Sequence, residues 1–170
     1  MIRIVIAEDQ ELLLQAMGSL LNLEDDMEVV GLAANGEEAL TLIHQFQPDV
    51  CLMDIEMPKM TGLEAAEALI SSFSKIIILT TFARPGYFRR ALEADVRAYL
   101  LKDSPSEELA SAIRCIMDGK RIYSPELMDV ESSATEVDGE NESSDQRDKS
   151  IGIVRSYLST ILDKIKLPTG

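Results

Sequence analysis

Two stretches of the chain, Ile4-Val5-Ile6 and Ile76-Ile77-Ile78-Leu79, are apolar at every position. A strand with one wet face alternates apolar and polar residues, whereas a strand without alternation is buried on both faces. The runs therefore call for a sheet covered on two sides. They belong to longer strand-like segments at Ile2–Ala7 and Lys75–Thr80, and three more stand at Glu28–Ala33, Val50–Asp54 and Arg97–Leu101. Residues 10–22, 36–46, 62–71, 85–94 and 105–118 repeat apolar side chains at helical spacing. Five strands alternating with five helices predict an α/β domain with a parallel central sheet. The last helix carries its own punctuation. Asp103-Ser104-Pro105-Ser106-Glu107-Glu108 offers a cap, a proline and acids at its start, and Asp118-Gly119-Lys120 marks its end.

Charge divides the 170 residues into three parts. Residues 1–123 sum to −9, residues 124–150 to −7, and residues 151–170 to +2, within a total of −14. An acidic chain repels a phosphate backbone at long range, so contact with DNA would fall to the last segment. No apolar run reaches the ~20 residues of a membrane span. Glu8-Asp9 also interrupts the N-terminus before a signal-peptide core could form. A cytoplasmic location without membrane insertion is expected. Cys51 and Cys115 supply neither a disulfide framework nor a four-ligand zinc site, and each reads as a small buried apolar residue. His44 reads as a solvated residue of the second helix, and a single histidine argues against His-based metal or triad chemistry.

Beyond residue 123 the pattern changes. Residues 131–150 hold seven acids and five serines against two apolar residues, Ala134 and Val137. Such a stretch cannot bury enough surface to offset the entropy of ordering and is expected to be a disordered linker. Then Val154, Tyr157, Leu158, Ile161, Leu162 and Ile165 fall at helical spacing after a candidate N-cap, Ser150.

In an open parallel sheet, chemistry gathers at the carboxyl ends of the strands. Here those ends carry Glu8-Asp9, then Asp54 followed by Ile55-Glu56-Met57-Pro58, then Thr80-Thr81, then Lys102. Three carboxylates cannot share a rim ionised without a counter-charge. Mg2+ takes one or two carboxylates and keeps waters, and so suits the set. Asp54, ending the middle strand, could then act as a nucleophile toward a phosphoryl group, with the cation and Lys102 neutralising the transferred oxygens.

Glu8-Asp9, Asp54 with Met57-Pro58, Thr80, and Tyr99-Leu100-Leu101-Lys102 together resemble the receiver domain of two-component response regulators over residues 1–123. Residues 22–30, 79–87 and 102–105 are most similar to the NarL/FixJ (LuxR-type) branch, and within it to the DesR-like regulators of membrane-lipid desaturation. The resemblance implies a flavodoxin-like (βα)5 fold with strand order 2-1-3-4-5, followed by a linker and a C-terminal helix. It implies phosphotransfer to Asp54 from a DesK-like sensor histidine kinase. It implies Mg2+ held by Glu8, Asp9, Asp54 and the Glu56 backbone carbonyl, with Thr80 as switch hydroxyl, Tyr99 as switch aromatic and Lys102 as phosphate-sensing lysine. Most of the apolar residues of helix one (Leu12, Leu13, Met17, Leu20, Leu21) and helix five (Leu109, Ile113, Ile116, Met117) are expected in the core, and the resemblance implies a homodimer on phosphorylation through the surface left over on both helices. Relatives usually have glycine where this chain has Lys59, Asp95 and Ala98. The last two flank the turn into strand five, where glycine often supplies a positive φ.

The branch carries a four-helix DNA-binding domain, and residues 150–167 resemble its recognition helix. There Arg155, Ser156, Ser159 and Lys164 would face DNA, and Ile153 replaces a usual threonine. The two apolar-patterned scaffold helices that precede that helix in the family are replaced here by the acidic stretch. The expected organisation is a receiver at 1–123, an acidic linker at 124–150 and a remnant recognition-type helix at 151–167. A recognition helix needs a scaffold to set its angle in the major groove, so sequence-specific DNA binding by this chain is not expected. Two functions follow: a phosphorylation-switched transcription regulator, or a receiver acting without DNA as a phosphate sink or heterodimerising modulator. An aspartyl-nucleophile phosphatase would need Asp-x-Asp, which Asp54-Ile55-Glu56 does not supply, so turnover of external substrates is not expected. A flavin-binding flavodoxin would need a Ser/Thr/Gly-rich phosphate loop after strand one, which is also missing.

Overall fold

A computed structural model describes residues 1–81, 84–102 and 106–124. In chain order the elements are β1 (Ile2–Ala7), α1 (Glu11–Leu21), β2 (Met27–Ala33), α2 (Gly36–Phe46), β3 (Val50–Met53), α3 (Gly62–Ala68), β4 (Lys75–Thr80), α4 (Tyr87–Glu93), β5 (Ala98–Leu101), α5 (Ser106–Met117) and β6 (Ile122–Tyr123). All strand pairs are parallel, in the order β2-β1-β3-β4-β5-β6. The flavodoxin-like order is thus present, extended by one short strand that periodicity does not signal. The segments proposed as acidic linker and C-terminal helix, beyond Ser124, lie outside the described residues, and with them Arg155, Ser156, Ser159 and Lys164.

The unbroken apolar runs are explained by two cores, one on each face of the sheet. Ile4, Ile6, Ile77 and Leu79 pack with α1 and α5. Val5, Ala7, Ile76 and Ile78 point the other way, into the core shared with α2, α3 and α4. On α1 the expected wide stripe is largely consumed: Leu13, Met17, Leu20 and Leu21 are buried, and Leu12 alone of the five is exposed. On α5, Leu109, Ile113 and Ile116 are buried and Met117 is half-buried. Cys51 is buried as expected, but Cys115 is only half-buried. His44 is exposed, its ring Nδ1 2.7 Å from the Leu40 carbonyl oxygen.

Local chemistry sets the helix ends. Asn35 caps α2 by accepting the Glu38 N–H at 3.0 Å. Thr61 and Glu64 form a reciprocal capping box at α3. α4 starts at Tyr87 rather than two residues earlier, because Gly86 adopts φ +86°. α5 closes through Gly119 at φ +87°. Lys59 (φ 65°) and Asp95 (φ 58°) do occupy the left-handed region that glycine favours, whereas Ala98 is an ordinary strand residue. Asp95 is held there by Arg97 at 3.1 Å and by Arg121.

Candidate functional site

β1 and β3 are neighbours, yet their following helices cover opposite faces. This is the topological switch point at which open sheets bind ligands. Two backbone bonds continue the sheet past the strand ends: Glu8 N–H to the Ala33 carbonyl and Asp54 N–H to the Ala7 carbonyl, each 3.0 Å. They bring Glu8 and Asp54 side by side at the rim. Across the sheet, the Lys102 N–H reaches the Thr80 carbonyl at 3.0 Å and fixes the residue after β5.

The side chains converge. Lys102 Nζ lies 2.9 Å from Asp54 Oδ2 and also pairs with Glu8 Oε2. Asp54 Oδ1 accepts the Ile55 N–H at 2.8 Å, and Glu8 Oε1 accepts the Gln10 N–H at 3.0 Å. The three side chains are deeply set, with relative exposures of 0% for Glu8, 5% for Lys102 and 11% for Asp54. Asp9 is exposed and completes a group of three carboxylates whose nearest oxygens lie within 4.8 Å of one another. Gly62 makes this packing possible, because a Cβ there would run into the Asp54 carbonyl oxygen.

Burial dominates the electrostatics. It pushes the Glu8 carboxyl up to about 7, against Lys102 and with help from the Asp54 charge. It also raises Asp54 above the usual carboxylate range, again against Lys102. For Lys102, burial works against the charge, but Asp54 and Glu8 outweigh it and hold the ammonium above its ordinary value. When both carboxylates are ionised, one cation serves two buried anions and one net negative charge remains before Asp9 is added. The donor set is all hard oxygen and carries surplus charge, which fits Mg2+.

The remaining candidates lie on β4, on β5 and in the loop after β3. Thr80 is the buried last residue of β4, and Tyr99 is buried in β5 opposite Ile78. Strand alternation puts both on the face covered by α4. The Tyr99 ring packs on Phe88 of α4 at 5.8 Å between centroids, and Phe88 meets Tyr123 of β6 edge-on at 5.5 Å. Glu56 follows Asp54 by two residues. Its side chain is exposed and turned to α4, where Arg84 Nε lies 2.8 Å and the Tyr87 hydroxyl 3.4 Å from Oε1. Phe88, Tyr123, Arg84 and Tyr87 were not legible as site neighbours. Arg84 and Tyr87 stand within a family-like stretch but carry no motif of their own.

Residues 4–114 match the family model for the response regulator receiver domain. The chain belongs to the response regulator receiver family. Two of the similar solved structures are LuxR-family response regulators. The transcriptional regulatory protein DesR of Bacillus subtilis (strain 168) is 58% identical over 182 aligned positions, covering 98% of this chain and 92% of DesR. Those 182 positions exceed the chain's 170 residues, so the match bridges segments of DesR that this chain does not have. YvfU, an uncharacterised transcriptional regulatory protein of the same organism, is 60% identical, but this chain spans only 64% of its length. The crystal structure of a LuxR-family DNA-binding response regulator from Staphylococcus aureus superposes with a TM-score of 0.66 at 44% identity, covering 68% of this chain and 98% of that one. Among the described residues of this receiver, no helix is long and apolar enough to cross a membrane.

Proposed function

We propose that this receiver accepts a phosphoryl group on Asp54 from a sensor histidine kinase. The observation that supports the reading best is the buried Glu8–Lys102–Asp54 group at the switch point, with Asp9 beside it. A carboxylate oxygen of Asp54 attacks phosphorus and the phosphorus–nitrogen bond of the phosphohistidine breaks. The imidazole nitrogen leaves with the electron pair and takes up a proton. Lys102, already on Asp54 Oδ2, follows the charge to the transferred phosphoryl oxygens. The Ile55 N–H holds Asp54 Oδ1 and so limits rotation of the nucleophile. Glu8, Asp9, Asp54 and the Glu56 carbonyl are the proposed Mg2+ ligands, and the cation when bound supplies positive charge to the phosphoryl oxygens. Thr80 and Tyr99 are the proposed switch pair, since both lie on the face covered by α4.

The test is incubation with acetyl phosphate and Mg2+ followed by intact mass. One phosphate adduct is expected on the native chain and none on Asp54→Asn, whose amide cannot serve as the nucleophile. A full-yield adduct on Asp54→Asn would overturn the assignment.

Phosphorylation-dependent transcription regulation is the output proposed from the LuxR-type relatives, with a homodimer through α1 and α5 and a DesK-like kinase acting in control of lipid desaturation. A second reading, output through the receiver without DNA, is favoured by the sequence itself. The stretch 131–150, ahead of Arg155, Ser156, Ser159 and Lys164, holds only two apolar residues from which to build a scaffold. A gel-shift at stated salt, with and without phosphodonor, separates the two. A phosphorylation-dependent footprint lost on Arg155→Ala would decide for DNA.

A further inference from the structure

The loop after Asp54 is pinned on one side and tethered on the other. Ile55 and Met57 are buried in the α2–α4 core. Between them Glu56 faces outward, and its Oε1 meets two donors from another part of the chain: Arg84 Nε at 2.8 Å and the Tyr87 hydroxyl at 3.4 Å. Arg84 leads into α4 and Tyr87 is its first residue. Ile55, next to Glu56, gives its N–H to Asp54 Oδ1. A displacement of Glu56 is therefore passed through one residue to the bond that orients the acceptor carboxylate.

We propose that Arg84 and Tyr87 are positioning residues for the Asp54 chemistry, holding the Glu56 side chain and through it the loop that follows the acceptor. The inference rests on the proposed phosphoacceptor role of Asp54. It makes α4 a determinant of the phosphorylation rate, by a route distinct from the Phe88–Tyr99 contact. Both partners of the ion pair are exposed, with relative side-chain exposures of 41% and 47%, and exposed pairs are individually weak. The expected effect is accordingly a change of rate and not its abolition.

The experiment compares labelling by acetyl phosphate and Mg2+, and decay of the adduct, in the native chain, Glu56→Arg, Arg84→Glu, the double charge swap and Tyr87→Phe. All of these retain the main-chain carbonyl of residue 56, and thermal melts establish that each is folded. Each single charge reversal should slow labelling about threefold at low salt. The double swap should return it to within about twofold of native, because the contact is restored with its charges exchanged. High salt should compress the differences. Tyr87→Phe should act in the same direction and more weakly. Multiplying losses in the double swap would overturn the proposal, since bulk electrostatics or local damage would then account for the singles. If the native chain takes no label, the phosphoacceptor reading itself fails. If it labels and Asp54→Asn does not, only the positioning role is on trial.

Discussion

Two groups of one cation and two carboxylates sit at different depths of this molecule, and the same chemistry produces opposite electrostatics. At the rim of the sheet, Lys102 serves Glu8 and Asp54 with almost no exposed surface. At the edge, Arg114 of α5 donates to Asp26 through Nε at 2.8 Å and Nη2 at 2.7 Å, and to Glu24 through Nη2 at 2.8 Å. Arg114 and Asp26 are 42% and 46% exposed. At the edge the hydrogen bonds from Arg114 hold Asp26 below the usual carboxylate range. At the rim desolvation wins, and Glu8 and Asp54 are pushed up although both pair with Lys102. Buried ion groups rarely improve on apolar packing. The rim is therefore poorly explained as a stabilising device and agrees better with the proposed role, in which a cation offsets its surplus negative charge and Asp54 accepts the phosphoryl group. The edge group does ordinary work, tying α5 to the corner between α1 and β2.

Removing the shared cation at the rim should have the largest effect. Lys102→Ala leaves two buried carboxylates facing each other, a loss of about 3 kcal/mol in a site of this depth. Urea unfolding should show that loss near about pH 8 and a smaller one near about pH 6, where Glu8 can take up a proton instead. Mg2+ should recover part of it. A variant as stable as the native chain at both values would mean that the rim charges are solvated.

How much of this was legible in the sequence depends on range. The sheet was readable because burial on both faces writes itself into consecutive residues such as Ile76–Leu79. Glu8, Asp9, Asp54, Thr80 and Lys102 were readable because each directly ends or follows a strand, so topology alone brings them to one rim. β6 was not, because two residues have no period, and Ile122–Tyr123 becomes a strand only by pairing with Ala98 and Tyr99. The tether of Glu56 to Arg84 and Tyr87 likewise joins separate loops and depends on where α4 settles. The glycine-type positions show a third case. Lys59 and Asp95 do take positive φ, and for Asp95 the compensation, two arginines on its carboxylate, is visible only in three dimensions.

A smaller effect is expected from filling the rim in the native chain. One saturating Mg2+ site at 100 Kd contributes about 2.7 kcal/mol. The sign of its pH dependence follows from Glu8, whose carboxyl is raised from 4.5 to about 7. The folded state holds that proton where the unfolded chain has lost it, so the stability of the cation-free protein falls as pH rises from 4.5 to about 7 and levels off above. Mg2+ requires the ionised carboxylate and competes with the proton. The stabilisation by MgCl2 over NaCl at equal ionic strength should therefore grow as pH rises across the same interval. Equal melts in the two salts at every pH would count against a cation site.

The smallest effect belongs to the edge. Arg114→Ala removes three hydrogen bonds, yet its carboxylate partners keep their water and need no proton to survive the loss. Melting should fall by much less than for Lys102→Ala, the difference should vanish at high salt, and labelling of Asp54 should be unchanged. The contribution of Asp26 is present above its ordinary titration range and is lost only in acid, since its carboxyl is depressed. A large loss that persists in salt would mean that the edge charges are shielded from solvent. Arg114 lies on the α1–α5 side of the molecule, and such a loss would mean that the edge group is covered in solution. Dependence of that loss on protein concentration would then identify the cover as a second copy of the chain, and the edge would have to be reclassified with the rim as buried charge.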